Sequence, residues 1–141
     1  ERWFDNTRTI VGRKGHPLRN ARSLQDLRSA HWIMTRPRGR GGVLEEAFHS
    51  EGLELPPSAA ECDSHSIKIA TVAQSDALAL VGKPMLAEPM VAALLEEIAL
   101  SKPFPLLTAG LYTRSDERLT PAARDLSAAI ASECKKILRL N

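Results

Sequence analysis

Three observations predict an α/β fold in which strands and helices alternate. Apolar runs of strand length at 31–34, 58–62 and 77–81 are separated by segments of helical periodicity at 43–49 and 66–73. That order builds a parallel-dominated sheet with helices on both faces, here across residues 17–84. A run of small polar residues, Asp63, Ser64 and Ser66, opens the second of these helices, so the chain reads strand end, helix start, helix, turn, strand. The chain then closes on a long amphipathic helix.

The first element is the alternating segment Thr7-Arg8-Thr9-Ile10-Val11-Gly12, read as a strand. Gly12, Gly15 and the His16-Pro17 pair stop it, because glycine admits unusual dihedrals and proline holds the residue before it extended. A strand with no hairpin or crossover partner before it is unstable, so the chain is expected to be a fragment of a larger fold. Ser23-Leu24-Gln25-Asp26 has the form of a capping box with Asp in place of Glu, and Leu24 and Leu27 give one or two helical turns an apolar face. His31-Trp32-Ile33-Met34 is a compact apolar strand.

Three arginines interleaved with glycines follow in Thr35-Arg36-Pro37-Arg38-Gly39-Arg40-Gly41-Gly42, and Val43, Leu44, Ala47 and Phe48 then recur at helical spacing. Gly52 is placed to cap that helix, and Pro56-Pro57 separates it from a strand at 58–62. The helix at 66–73 is expected to turn Ile67, Ala70, Thr71 and Ala73 towards the sheet. A buried strand at 77–81 ends at Gly82-Lys83-Pro84. Pro89 starts a turn or helix at 90–95, 97–100 reads as a strand, and Pro103 and Pro105 make an extended connector before a strand at 107–113. The final helix has Thr120 as N-cap and Pro121 at its first position. Ala122, Ala123, Leu126, Ala129, Ile130, Ala131, Cys134, Ile137 and Leu138 form its stripe.

Composition narrows the function. At 141 residues and 43% hydrophobic content, the chain forms about one domain with a true core. No apolar run approaches the roughly 18 residues of a membrane span, and no signal segment opens the chain, so a cytoplasmic protein with no membrane partner is expected. Cys62 and Cys134 lack a Cys-x-x-Cys partner and are expected to be reduced, half-buried thiols. The net charge of +2 is no argument for nucleic acid, but residues 1–40 hold ten Lys or Arg against three acids, while 41–100 hold two against ten. This segregation fits a local positive patch that attracts an anion, and equally two complementary faces of one domain.

Two places suit an anion. At the first, Ser64, His65 and Ser66 start a helix whose free amides carry partial positive charge; the same residues also fit an ordinary N-cap in a βαβ unit. At the second, the strand end Thr35-Arg36 feeds a basic loop and a helix, a convergence of guanidinium donors and amides that equally fits a solvated loop. The loop is not a P-loop, since the Gly-Lys-Ser/Thr ending is missing. His16, His31, His49 and His65 lack zinc-holding spacings, and no nucleophile elbow or dinucleotide fingerprint is present. Cys62 and His65 have no identifiable oxyanion donor or orienting group, so no metal, cofactor or catalytic residue is expected.

Thr9-Ile10-Val11-Gly12-Arg13-Lys14-Gly15-His16-Pro17-Leu18, Ser23-Leu24-Gln25-Asp26-Leu27 and His31-Trp32-Ile33-Met34 resemble the middle of the effector-binding domain of LysR-type transcriptional regulators. The stretch 64–84 resembles that family's next helix and strand, with Gln74-Ser75-Asp76-Ala77 standing where glycines are usual. Leu111-Tyr112-Thr113-Arg114 and Leu119-Thr120-Pro121-Ala122-Ala123 resemble its closing strand and helix.

The resemblance implies a periplasmic-binding-protein-like fold of type II, with one complete subdomain and the returning part of another. Residues 1–16 would hold the end strand of subdomain I and the first crossover, 17–84 subdomain II, 85–106 the second crossover, and 107–141 the returning strand and C-terminal helix. It also implies a small, anionic effector in an inter-subdomain cleft lined by Thr35, Arg36, Ser64, His65 and Ser66, with His65 adding a pH-dependent contact. The family brings homo-oligomers, RNA polymerase as a further partner, and DNA contact only through a helix-turn-helix domain outside this chain. A fragment of a solute-binding transport protein of the same fold is the alternative.

Overall fold

The computed structural model describes residues 2–35, 41–112 and 119–139, which cluster into two units. The larger spans Thr7–Pro105; the smaller combines Glu1–Asn6 with Leu106–Asn141.

The larger unit is built on a five-stranded sheet. Its strands are β2 (Arg8–Arg13), β3 (His31–Met34), β4 (Ser58–Glu61), β5 (Ala77–Gly82) and β6 (Leu95–Ile98), β1 (Arg2–Asn6) belonging to the smaller unit. The spatial order is β4-β3-β5-β2-β6. β3 is parallel to both β4 and β5, whereas β2 runs antiparallel to β5 and β6. Helix α1 (Val43–Ser50) crosses from β3 to β4, α2 (His65–Ala73) from β4 to β5, and the short α3 (Pro89–Leu94) precedes β6.

Strand alternation sends consecutive side chains to opposite faces, and two cores result. Ile10, Trp32, Met34, Leu78 and Ile98 point to one face with Phe48 of α1 and with Leu24 and Leu27, while Val11, Ile33, Ala77, Ala79 and Val81 point to the other with Val72 of α2. The helices of this sheet therefore cover both faces. Trp32 and Phe48 meet edge to face, ring centres 6.1 Å apart, a favoured aromatic geometry.

Several boundaries follow from local chemistry. The Asp26 amide donates to Ser23 Oγ at 3.3 Å while Asp26 Oδ2 accepts from the Ser23 and Arg22 amides at 3.0 Å. This reciprocal cap holds one 3-10 turn at Gln25–Leu27. Gly52, at φ +69°, follows the end of α1 in the left-handed region that favours glycine.

Other boundaries differ from the sequence expectation. The strand expected at 97–100 is β6, two residues earlier, because Leu95 and Ile98 are the buried positions that register with Arg13 and Ile10. The face of α2 is rotated: Lys68 and Val72 are buried, Ile69 and Ala73 are half-buried, and Ile67, Ala70 and Thr71 are exposed. The pairs 68/72 and 69/73, each one turn apart, set the inward stripe.

In the smaller unit β1 pairs antiparallel with β7 (Leu107–Gly110), and α4 (Pro121–Arg139) packs against β1 behind a Thr120 cap whose hydroxyl accepts from the Ala123 amide at 3.3 Å. β1 has no alternating pattern to announce it in the sequence. β7 ends at Gly110, and Thr113, the expected end of that strand, lies outside the described residues. Cys62 and Cys134 are free, half-buried thiols.

Candidate functional site

The site lies at one edge of the five-stranded sheet. Because β3, β4 and β5 run parallel, their C-terminal ends share that edge, and antiparallel β2 brings its N-terminal end there by pairing Arg8 with Gly82. Ligands of open α/β sheets bind at such an edge, where loops leave the strands.

The end of β4 is held beside the end of β3 by the Cys62 amide, which donates to the Met34 carbonyl at 2.8 Å. Ser64 then turns the chain into α2. Its backbone is extended (φ −76°, ψ 121°) and its Oγ accepts from the Ile67 amide at 3.5 Å. The amides of His65 and Ser66, in the first turn, have no acceptor within their own helix, and both side chains are exposed. Cys62 Sγ donates to the Ser64 carbonyl at 3.3 Å, which further fixes the turn.

One side chain ties this helix start to the end of β3. Lys68 is only 3% exposed, and its Nζ donates to Thr35 Oγ1 at 2.5 Å. Burial pulls the Lys68 ammonium below its ordinary pKa, and Arg8 adds to that pull, while Cys62 and Asp63 oppose it. Thr35 itself is exposed at the rim.

Along the same edge Glu97 Oε1 accepts from Thr9 Oγ1 at 2.7 Å and from Lys83 Nζ at 3.1 Å. Burial works against the Glu97 carboxylate, yet the Thr9 and Lys83 hydrogen bonds and the Lys83 charge outweigh it and hold the pKa below the usual value. A cavity beside this group is lined by Thr7, Arg8, Lys83, Glu97, Lys102 and Phe104, among others.

Of the residues marked from the sequence, Thr35, Ser64, His65 and Ser66 lie on this edge, and Arg36 lies outside the described residues. Lys68 and Arg8 were missed. The signal for Lys68 was available: Ile69, Val72 and Ala73 define an apolar stripe into which Lys68 falls. Among the described residues, no three His, Cys, Asp or Glu side chains group as a metal site, and no helix is long and apolar enough to cross a membrane.

An edge of this kind, where β2 alone runs against its neighbours, does not by itself name a family, and the sequence match does: residues 1–135 match the family described as LysR substrate binding domain. The chain belongs to the LysR substrate binding domain family. The family is that of a regulator's effector-binding domain rather than a family of enzymes, which favours it over a transport-protein fragment, and its fold is periplasmic-binding-protein-like, type II.

Solved structures carry the same LysR-type fold. The regulatory domain of CcmR from Synechocystis PCC6803, in complex with 2-PG, superposes with a TM-score of 0.70 at 15% identity, over 96% of this chain and 66% of that one. The effector binding domain of QuiR in complex with shikimate gives 0.72 at 16% identity, over 96% and 64%. The regulatory domain of MetR from N. meningitidis gives 0.68 at 14%, over 95% and 62%. The LysR-type chain described here thus spans less than two thirds of the length of each.

Proposed function

We propose that this chain is the effector sensor of a cytoplasmic LysR-type regulator and binds a small anionic molecule at the edge where Thr35, Ser64, His65 and Ser66 lie, with Arg36, next to Thr35 in the sequence, as a further ligand. The observation that carries the reading is the Lys68–Thr35 hydrogen bond. It ties the end of β3 to the start of α2, so that the exposed Thr35, Ser64, His65 and Ser66 lie at neighbouring element ends with the buried Lys68 ammonium behind Thr35. Such an edge suits a carboxylate or phosphate. The bound compounds named for CcmR and QuiR, 2-PG and shikimate, support a small-molecule ligand of this kind.

Binding acts without chemistry. A ligand that favours one of two arrangements of the sensor shifts its population, and through the oligomer shifts the DNA-bound state of the regulator, with RNA polymerase as the downstream partner. DNA contact belongs to a helix-turn-helix domain outside this chain. No turnover is expected, and Cys62→Ala and His65→Ala are expected to leave every bound compound unaltered.

The test is calorimetry on the intact regulator with a panel of small carboxylates and phosphates. Ser64→Ala and Arg36→Ala should each weaken binding of the responsive compound by about 1–3 kcal/mol, the scale of a hydrogen bond to a charged group. Wild-type affinity in both variants would place the site elsewhere.

A further inference from the structure

Lys68 is a nucleophilic side chain for which effector binding has no chemical use. It is 3% exposed, and beside it on α2 Ile69 and Val72 pack with Ile33 and Cys62 in one apolar cluster. Its Nζ donates one hydrogen bond, to the neutral Thr35 hydroxyl at 2.5 Å. Among the described residues no carboxylate forms an ion pair with it.

Its place in the helix works in the same direction. Lys68 lies one turn after the Ser64 cap, and its amide donates to the Ser64 carbonyl at 3.0 Å. Helical side chains lean back over the turn N-terminal to them, which carries the amine to the positive end of α2, where it meets Thr35. A cation is unfavourable at that end, and desolvation without an ion-pair partner adds to the cost. Burial, the neutral partner and the helix end therefore all favour the amine over the ammonium, and the Lys68 pKa is lowered accordingly, with burial the first cause. A neutral, desolvated lysine amine is a nucleophile.

The same burial selects the electrophile. At 3% exposure the amine is closed to a compound of effector size, whereas carbon dioxide is triatomic and apolar and passes through apolar packing. Its adduct is an anion, and the surroundings suit one. The Thr35 hydroxyl, which accepts from the amine, can instead donate to a carboxylate oxygen. The His65 and Ser66 amides, in the first turn of α2, have no acceptor within their helix and lie at the end that favours negative charge.

From this placement we propose that Lys68 is a carbamylation site, at which carbon dioxide adds reversibly to Nζ beside the Thr35 hydroxyl. The nitrogen lone pair forms the N–C bond, one C=O π pair moves onto oxygen, and Nζ releases a proton to solvent; nothing is oxidised or reduced. A carbamate then stands where an ammonium stood, so the charge behind Thr35 follows dissolved carbon dioxide. The adduct is separate from the effector and forms without it, so this proposal and the reading of the edge as the effector site can each fail alone.

The test is carbon NMR of the intact protein equilibrated with isotopically labelled bicarbonate, followed by trapping with a trialkyloxonium salt and peptide mass spectrometry to locate the adduct. A carbamate is expected at Lys68, with about tenfold or greater occupancy than at the exposed Lys14 and Lys102. It should be lost in Lys68→Arg and reduced in Thr35→Val, and hydrogen exchange of the His65 and Ser66 amides should slow with bicarbonate in the wild type but not in Lys68→Arg. The absence of an adduct at Lys68, or an occupancy there equal to that at Lys14, overturns the proposal. So does an adduct that Thr35→Val leaves undiminished. Thr35 is exposed, so Thr35→Val keeps the question decidable should Lys68→Arg fail to fold.

Discussion

His16 shows how much a single side chain carries in the larger unit. It is 2% exposed; its Nδ1 accepts from the Leu18 amide at 3.0 Å, which leaves the proton on Nε2 to be donated to the Asp76 carbonyl at 3.1 Å. The ring therefore ties the turn after β2 to the start of β5. Gly12 is the complement, since a Cβ there would meet the ring carbons Cγ and Cδ2 at 3.0 Å. His16→Ala should lower the unfolding free energy by about 2–4 kcal/mol, from the lost bonds and the cavity together; urea denaturation monitored by circular dichroism reads it, and a loss under about 1 kcal/mol would contradict this account. Glu97 makes the pH dependence. Its folded pKa lies below the ordinary 4.5, so its contribution is fully present above the unfolded-state value and disappears as pH falls through the folded one. Melting curves between about pH 6 and pH 3 should fall less steeply for Glu97→Gln than for the wild type.

At the scale of elements, α2 tests whether capping and facing can be separated. Ser64 is both a cap and a site residue, so Ser64→Ala is expected to cost about 1 kcal/mol of stability besides any effect on ligand. Ser64→Asp should keep the cap, and comparing the two by thermal melts and by titration divides the roles. The rotated face predicts that Ile67→Glu changes stability by no more than about 0.5 kcal/mol, whereas Val72→Ala costs about 2. Similar costs for the two would restore the face expected from the sequence. The elements were legible where punctuation is chemical: Ser64 and Thr120 are caps, the Ser23–Asp26 pair exchanges bonds, and Pro56-Pro57 precedes β4. They were less legible where context decides. β6 is positioned by its register with β2, a pairing across more than eighty residues, and no local pattern contains it. The site divided in the same way. Thr35 and Ser64 sit at element ends that turn chemistry announces, but the burial of Lys68 against Thr35 is a tertiary fact, and a lysine in a helix is ordinarily read as solvated.

At the scale of the molecule, the smaller unit is where association is expected. A two-stranded sheet such as β1–β7 is marginal alone, and its helix α4 leaves Leu126 63% and Ile130 42% exposed while Ala131 is buried. Leu126 and Ile130 lie four residues apart, one turn along the same face, so they form a continuous apolar strip and not two scattered residues. The charges on the rest of this helix, among them the Glu133–Lys136 pair, whose side chains are well exposed, would flank such a strip as a polar rim, the arrangement of a helix that meets a partner. The reading of the chain as part of an oligomeric regulator gives that partner as a second copy. Multi-angle light scattering of the chain at rising concentration should report association, and the double substitution Leu126→Lys, Ile130→Lys should shift it to monomer with far-ultraviolet circular dichroism unchanged. Because both positions are exposed, the substitutions should leave the unfolding midpoint of the monomer nearly where it was, which separates a lost interface from a lost fold. A wild-type chain that stays monomeric at high concentration, or a double variant that associates as the wild type does, would remove α4 from the interface.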